Sequence, residues 1–357
     1  MSSSFTLREK IGQMLIVGFR GAEPSECGLI ERDLRDHAIG GIILFDQEMV
    51  DATARRRNIV SPDQVKRLVA HLQANARRPG TLLISIDQEG GRVNRLKFDY
   101  GFPPSVSQDE LGQINRLEET SRQARLTAQT LARAGINFNL APVVDLDANP
   151  NNPIIKGKRR CFSSDPELTA RHAGAVVQAH RGEGVLTCLK HFPGHGSAAG
   201  DTHLGLVDVT QTWSEQELIP FQRLVTSGLC DAVMSAHVFN ARLDPDRPAT
   251  LSRAVITGLL RQRLGFQGVV ISDDMEMRAI SSQYGLDESV PSAIEAGIDV
   301  LCFGNNQSYD PDIAPKAIDI LTRAVASGRI PESRIDESVQ RILTLKRRIG
   351  TRPPSQP

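Results

Sequence analysis

Residues 82–91 read LLISIDQEGG, a short apolar run that ends in two acidic residues and a pair of glycines. The apolar part is nearly continuous, which is typical of a strand buried on both faces of a parallel sheet. Asp87 and Glu89 follow at the carboxyl end of that strand. Parallel α/β folds bind their ligands at this end. The stretch therefore predicts both a class of fold and one edge of a site.

Similar runs recur along the chain, each four to six residues long and rich in Val, Ile and Leu, and helical patterns separate them. The further runs are 14–19, 41–45, 136–141, 185–190, 232–236, 268–272 and 300–303. Eight strands alternating with helices predict a (β/α)8 TIM barrel. We expect one domain over residues 1–350 and a disordered tail over 351–357. The alternative is an open doubly wound sheet, which usually has fewer strands, and no GxGxxG follows the first run.

Several helix boundaries are also predicted. Ser61 followed by Pro62 is typical of a helix start. Ser214 and Glu217 have the spacing of a capping box, in which each side chain binds the backbone N–H of the other residue. Ser252 predicts the start of a further helix.

Composition narrows the class of partner. Lys+Arg and Asp+Glu both total 42, so the formal net charge is zero and no basic field indicates nucleic acid or an anionic membrane. The five cysteines are scattered without a CxxC pair, which argues against a zinc site or a disulfide framework. No run reaches transmembrane length, and the N-terminus lacks a secretory pattern. These features predict a cytoplasmic protein without a membrane or nucleic-acid partner.

Polar residues follow most of the predicted strands. Acidic residues follow the third, fourth and seventh runs, and histidines follow the fifth and sixth. A single Asp in such a place usually caps a helix, and Asp274 is interpreted in this way. His191 and His237 alone would fit histidines that only support a site. The convergence of acids and histidines at one barrel mouth nevertheless predicts a functional site there.

The loop after the fifth run carries the strongest signal. It contains His195, Asp201 and His203 among three glycines and little apolar material, so we expect residues 194–203 to be displaced or poorly ordered without ligand. The spacing of Asp201 and His203 lets a carboxylate hold one imidazole nitrogen, which would suit proton transfer near neutral pH.

Six motifs together resemble one family. They are GGIILF (40–45), IDQEGGRVNRL (86–96), APVVD (141–145), KHFPGHG with a downstream DTH (190–203), MSAHV (234–238) and ISDDMEM (271–277). This pattern resembles the glycoside hydrolase family 3 β-N-acetylhexosaminidases, in particular the bacterial single-domain β-N-acetylglucosaminidases of peptidoglycan recycling. The resemblance covers about residues 7–350 and implies a TIM barrel, no metal or other cofactor, and a double-displacement mechanism.

The resemblance also implies residue roles. Asp273 matches the nucleophile, His203 the general acid/base, and Asp201 the partner of His203. The residues that match the sugar-binding set are Asp87, Arg95, Arg160, Lys190 and His191. Here the chain reads GKRRCF (157–162) instead of the more usual G-x-R-S-[FY], so Arg159 and Arg160 compete for one role and Cys161 replaces a serine.

The expected function is that of a retaining exo-β-N-acetylglucosaminidase, a monomer that acts on a GlcNAc-containing glycan or muropeptide. Alternatives are a glycoside phosphorylase, in which an imidazole base would not repel phosphate, and a β-glucosidase of the same family. A metal-dependent amidohydrolase would normally carry HxH after strand one, where this chain reads VGFRG (17–21). A sugar-binding protein without activity is disfavoured, because every acidic residue of the motifs is present.

Overall fold

The structure, a computed structural model, describes residues 5–48, 56–77 and 82–351. The predicted disordered tail lies outside the described residues except for Thr351, whose backbone N–H donates to the carbonyl of Arg348 at 3.2 Å.

Eight parallel strands close into a barrel in which each strand pairs with its neighbours in the sequence. In chain order, the barrel strands β1 to β8 are Leu15–Gly18, Gly41–Leu44, Leu83–Ile86, Phe138–Asn139, Leu186–Phe192, Ala232–Ser235, Val269–Asp274 and Val300–Phe303. Closure is set by β1, which pairs with β2 through Ile16 and Gly41 and with β8 through Leu15 and Leu301. The predicted TIM barrel is confirmed, and the open sheet is excluded. Each of the eight predicted runs contains or overlaps a barrel strand.

Helices surround the barrel. The α-helices are Leu7–Gln13, Gly28–Asp36, Pro62–Asn75, Gln108–Ile114, Leu117–Ala134, Pro166–Gly182, Ile219–Thr226, Arg278–Ser281, Leu286–Ala296, Ile313–Ala326 and Glu332–Lys346, and a π-helix spans Ala254–Arg263. Among the described helices, none is both long and apolar enough to cross a membrane.

Two of the predicted helix starts are confirmed. The hydroxyl of Ser61 accepts the N–H of Gln64 at 3.3 Å, with Pro62 at the first helical position. The hydroxyl of Ser252 accepts the N–H of Val255 at 3.1 Å ahead of the π-helix.

The predicted capping box of Ser214 and Glu217 is wrong. Ser214 does precede a short 3₁₀ helix, Glu215–Leu218, but its side chain makes no capping hydrogen bond. The carboxylate of Glu217 instead accepts the backbone N–H groups of Gly196 at 2.9 Å and Ser197 at 3.3 Å, in the loop after β5. The Glu217 carboxylate therefore binds buried backbone amides of a distant loop instead of capping its own helix.

The strands bury their side chains against one another and against the helices in one large apolar cluster. Two short ladders lie beyond the carboxyl ends of the strands, Gln88–Gly90 with Val93–Asn94 and Val207–Asp208 with Val238–Phe239. We call this end of the barrel the mouth and the opposite end the base. All five cysteines are unpaired, and Cys161 packs in a small apolar cluster with Val143, Ile154 and Ile155.

Candidate active site

A cavity of about 350 Å³ opens at the mouth, lined by residues at or after seven of the eight strands, β2 to β8. Every residue nominated from the sequence lines it except Asp201, which lies behind His203. The nominated residues on the wall are Asp87, Arg95, Arg160, Lys190, His191, His203 and Asp273. Closure of the barrel brings these side chains together from positions up to 186 residues apart, 87 to 273.

Asp273 lies near the end of β7, and its carboxylate has few direct contacts that would compensate the negative charge. Its Oδ1 accepts the backbone N–H of Asp274 at 2.8 Å, and it makes no ion pair with any described residue. Burial alone would raise the pKa of Asp273, but the imidazoles of His191, His237 and His203 lower it to about 2. Asp273 is therefore ionised at neutral pH and keeps oxygen lone pairs free toward the cavity.

The neighbouring Asp274 behaves differently. Its Oδ1 accepts the N–H groups of Glu276 and Gly304, both at 3.1 Å, so it holds a turn. The prediction that it caps the next helix is wrong, because Met277 is the N-cap residue of Arg278–Ser281 and its side chain makes no capping hydrogen bond. Burial, with the Glu276 carboxylate, raises the pKa of Asp274 to about 7. Two adjacent aspartates are thus driven to opposite protonation behaviour, an arrangement common where acid and base roles are divided.

His203 and Asp201 form the predicted pair. The Nδ1 of His203 lies 2.7 Å from the Oδ1 of Asp201, which also accepts the backbone N–H of His203 at 2.9 Å. The side chain of His203 is 38% exposed, and its Nε2 has no hydrogen-bond partner among the described residues. Because the carboxylate holds Nδ1–H, Nε2 is left to accept or donate a proton at the cavity.

Four charged side chains in the cavity wall form ion pairs with one another, and we call them the paired wall: Asp87, Glu89, Arg160 and Lys190. The ammonium of Lys190 lies 2.7 Å from Asp87 Oδ1 and 2.6 Å from Glu89 Oε1, and the guanidinium of Arg160 binds both oxygens of Glu89 at 2.8 Å. Burial opposes ionisation of Glu89, but Arg160 and Lys190 hold its pKa well below the usual range. The sequence placed Glu89 beside Asp87 at the edge of the predicted site but gave it no role.

A second buried acid, Asp145, holds His191. Asp145 Oδ2 lies 2.6 Å from the Nδ1 of His191, and Arg160 Nη2 lies 3.2 Å from its Nε2. An arginine only donates, so Nε2 accepts and Nδ1 carries the proton that is donated to Asp145. The ring of His191 is thereby fixed in one tautomer. Sequence reasoning placed Asp145 at the strand end but gave it no role.

The two adjacent arginines, Arg159 and Arg160, differ in position. Arg160 is buried in the cavity wall, whereas Arg159 points outward to Asp109, with Nε 2.9 Å from Oδ2 and a left-handed φ of 57°. Arg95 lies nearer the rim, with 3.7 Å between its Nη2 and Asp87 Oδ2. It is therefore less tightly held than Arg160.

The loop 194–203 is packed more firmly at its start than the sequence suggested. His195, Ser197 and Ala198 are buried, and Asn152 donates to the carbonyls of His195 and Gly196 at 2.8 and 3.0 Å. The expectation that little holds this segment is wrong for its first half, because polar partners from distant loops replace apolar anchors. His203, at the end of the loop, lines the cavity.

These elements and their spacing match a known family model. Residues 6–345 match the model described as glycosyl hydrolase family 3 N terminal domain. The chain belongs to glycosyl hydrolase family 3.

Relatives with that family's fold cover nearly all of this family 3 chain. A curated protein named beta-hexosaminidase LpqI from Mycobacterium tuberculosis is 33% identical over 348 residues, which are 95% of this chain and 82% of the relative. A solved structure described as a glycoside hydrolase family 3 β-N-acetylglucosaminidase from Paenibacillus sp. str. FPU-7 is 40% identical with a TM-score of 0.87, and the match covers 97% of this chain but only 63% of that one. A β-N-acetylhexosaminidase from Beutenbergia cavernae DSM 12333 is 28% identical with a TM-score of 0.85, covering 97% and 99% of the two chains.

His237 supports the family 3 site from behind. Its Nε2 donates to the backbone carbonyl of Asp274 at 2.9 Å, and its Nδ1 lies 2.8 Å from the Thr250 hydroxyl. Both nitrogens are occupied, which agrees with a supporting histidine. Within the described part of the chain, no three His, Cys, Asp or Glu side chains gather in a way that would hold a metal ion.

Proposed function

We propose that this family 3 enzyme is a retaining exo-β-N-acetylglucosaminidase that removes terminal non-reducing β-linked GlcNAc. One observation carries the proposal: the cavity presents an ionised carboxylate free of ion pairs among the described residues, Asp273, together with an imidazole whose Nε2 is unoccupied, His203. Double displacement needs one nucleophile and one acid/base, and these two groups supply them. The names of the curated and solved relatives support the choice of an N-acetylated hexose.

In the first step, Asp273 attacks the anomeric carbon and the Nε2–H of His203 protonates the departing oxygen. In the second step, Nε2 takes a proton from water, which then cleaves the ester between the sugar and Asp273. Asp201 stabilises the imidazolium and fixes the ring through Nδ1. Asp273 suits the nucleophile because a strand end holds it rigidly.

The paired wall is proposed to bind the hydroxyls of the terminal sugar. Lys190 and Arg160 are held by Glu89, Asp87 is held by Lys190, and His191 is fixed by Asp145. Arg95 completes the set at the rim. Charged partners of this kind discriminate strongly, because a substrate that lacks the matching hydroxyl leaves a buried charge unpaired.

Two cations support an anionic leaving group, as in a muropeptide or GlcNAc-anhydroMurNAc. Lys158 and Arg92 line the same cavity, and neither makes an ion pair with a described residue. Burial, with the nearby positive charge of Arg160, lowers the pKa of Lys158, and the carboxylates of Asp201 and Glu89 oppose that shift. The five unpaired cysteines favour a reducing compartment, and we propose that the reaction takes place in the cytoplasm.

The deciding experiment compares 4-nitrophenyl β-N-acetylglucosaminide with 4-nitrophenyl β-glucoside, each with and without phosphate. The proposal predicts a preference for the N-acetylated substrate and release of free GlcNAc in both buffers. A preference for the glucoside would indicate a β-glucosidase. Phosphate-dependent release of GlcNAc 1-phosphate would indicate a phosphorylase, which the imidazole acid/base makes the second candidate because it carries no negative charge to repel phosphate.

A further inference from the structure

Thr202 lies between Asp201 and His203 in the sequence but differs from both in its surroundings. It is only 2% exposed, whereas the side chains of Asp201 and His203 are 20% and 38% exposed. Its hydroxyl oxygen lies 3.3 Å from the Nε2 of His195, and its backbone carbonyl accepts the N–H of Ala279 at 3.1 Å. Thr202 is thus the buried anchor of an otherwise half-exposed pair.

His195, the partner of the Thr202 hydroxyl, has a firmly held backbone. The backbone N–H of His195 donates to Asp145 Oδ1 at 2.8 Å, and its carbonyl accepts from Asn152 Nδ2 at 2.8 Å. The imidazole is buried. Burial, followed by the neighbouring imidazole of His191, lowers the pKa of His195 to about 4, so the ring is neutral at neutral pH. A neutral ring in a fixed place suits a hydrogen bond to a hydroxyl better than a proton-transfer role.

The Ala279 end leads to the nucleophile. Ala279 belongs to the helix Arg278–Ser281, which begins four residues after β7 ends at Asp274. The carbonyl of Thr202 therefore ties the loop of the acid/base to the segment that follows Asp273. Through its bonds to His195 and Ala279, Thr202 connects the loop after β5 with the loop after β7.

We propose that Thr202 is a positioning residue, which holds the His203–Asp201 pair in register with Asp273 through its bonds to His195 and Ala279. This inference rests on the proposed roles of His203 and Asp273. The physical reason is that a proton donor acts only from a narrow range of positions, and a displacement of about 1 Å can cost roughly 100-fold in rate. Gly200 directly precedes the pair, beyond the firmly held first half of the loop, so without a fixed point near the pair the imidazole would sample many positions.

The test is Thr202→Val, which keeps the shape of the side chain and removes the hydroxyl. We expect a loss of about 10- to 100-fold in kcat/KM for a β-linked GlcNAc disaccharide, whose leaving group needs a proton. With a 2,4-dinitrophenyl β-N-acetylglucosaminide the loss in kcat/KM should be less than about threefold, since that group departs without protonation. Thr202→Ser keeps the hydroxyl and should recover most of the lost rate. Thr322→Val is the matched control, because it removes a hydroxyl that only bonds its own helix at Ile318.

A double-mutant cycle with His195→Phe separates positioning from general damage. Both changes remove the same hydrogen bond, so the double variant should be no slower on the disaccharide than the slower single variant. Additive losses, or equal losses on good and poor leaving groups with an unchanged Tm, would overturn the role of Thr202. If His203→Ala itself showed no dependence on the leaving group, the proposed function would fail instead, so the two failures are distinguishable.

Discussion

Two aspartates at the base of the barrel and Asp273 at its mouth differ in how their negative charge is compensated. At the base, Asp299 precedes β8 and Asp231 precedes β6, and both side chains are 0% exposed. Both oxygens of Asp299 are used, with Arg261 Nη2 at 2.6 Å on Oδ2 and Arg341 Nη1 at 3.1 Å on Oδ1. At the mouth, Asp273 has one backbone N–H and no cation in contact among the described residues.

This difference separates carboxylates that stabilise the fold from carboxylates available to a substrate. A buried charge without a partner costs free energy, so it is retained where something outside the fold uses it. The paired aspartates of the base arrange strands and helices, and the unpaired groups of the mouth face a cavity. Within the mouth the same contrast recurs between Glu89, which is fully paired, and Asp273.

The largest expected effect comes from exchanging these two kinds of aspartate for neutral residues. Asp273→Ala should lower kcat/KM by at least about 10⁴-fold for good and poor leaving groups alike, because both chemical steps need the nucleophile. Its free energy of unfolding should change by less than about 1 kcal/mol. Asp299→Asn should do the reverse, destabilising the fold by about 3–5 kcal/mol while the folded fraction stays active. Chemical denaturation and kinetics on both variants check the contrast, and an active Asp273→Ala enzyme would refute it.

A second expected effect concerns the free nitrogen at the mouth. His203→Ala should slow hydrolysis of a GlcNAc disaccharide by about 10²- to 10⁴-fold, because it removes the acid/base but not the nucleophile. With 2,4-dinitrophenyl β-N-acetylglucosaminide the variant should give a rapid burst of phenolate and then a slow steady rate. Stopped-flow absorbance records both phases. Absence of a burst, with equal losses on both substrates, would assign His203 to binding.

A third, smaller effect should appear at the unpaired cation Lys158. Lys158→Met should weaken kcat/KM for GlcNAc-anhydroMurNAc by about 10-fold, since the half-buried ammonium of Lys158 would no longer pair with the carboxylate of that disaccharide, and leave chitobiose within about twofold. Parallel assays on the two disaccharides give the ratio. Equal loss on both would indicate that Lys158 does not contact the leaving group. Lys316→Met, which affects only a surface pair with Asp310, is the control.

The last expected effect is on stability rather than on rate, at the base, where the ammonium of Lys346 has no carboxylate partner among the described residues. Within the described part of the chain, the buried ammonium of Lys346 donates only to the amide oxygen of Gln13, at 2.8 Å, and burial lowers its pKa from 10.5 to about 7. The unfolded chain therefore binds this proton more tightly, so stability falls as the pH drops from about 10.5 to about 7. The free energy of unfolding of Lys346→Met, relative to the parent protein, should rise by about 1–3 kcal/mol between pH 10 and pH 7. Urea melts at both pH values test this, and the exposed Lys66→Met should stay parallel to the parent.

The barrel could be predicted from the sequence because its signal is local and repeated. Each strand carries its own apolar run, and Gly41–Leu44 and Val300–Phe303 fall within or on the predicted bounds. The strand Phe138–Asn139 is much shorter than its run, although Leu140 still donates to Ile86 at 2.8 Å and Ala141 still accepts from Cys188 at 3.0 Å. The length over which a strand pairs regularly depends on its neighbouring strands, and the periodicity of its own residues does not reveal them.

The mouth could be predicted only in part, for a related physical reason. Residues such as Asp87 and Asp273 follow strands, so the fold itself places them. The partners of Glu217 and the tautomer of His191 depend on contacts between distant loops, and capping rules misassigned Glu217 to its own helix. Burial raises the pKa of Glu217 to about 7, a property that no sequence spacing indicates.

The central claim is that Asp273 forms a covalent bond with the sugar. A 5-fluoro derivative of an N-acetylglucosaminyl fluoride slows both steps but, with fluoride as a good leaving group, lets the ester accumulate. Intact mass should rise by one fluorinated sugar, and peptide mapping by tandem mass spectrometry should locate it on Asp273 in ISDDMEM (271–277). A label on Asp274, Glu89 or any other residue, or turnover without a covalent adduct and with inversion at the anomeric carbon, would contradict the account.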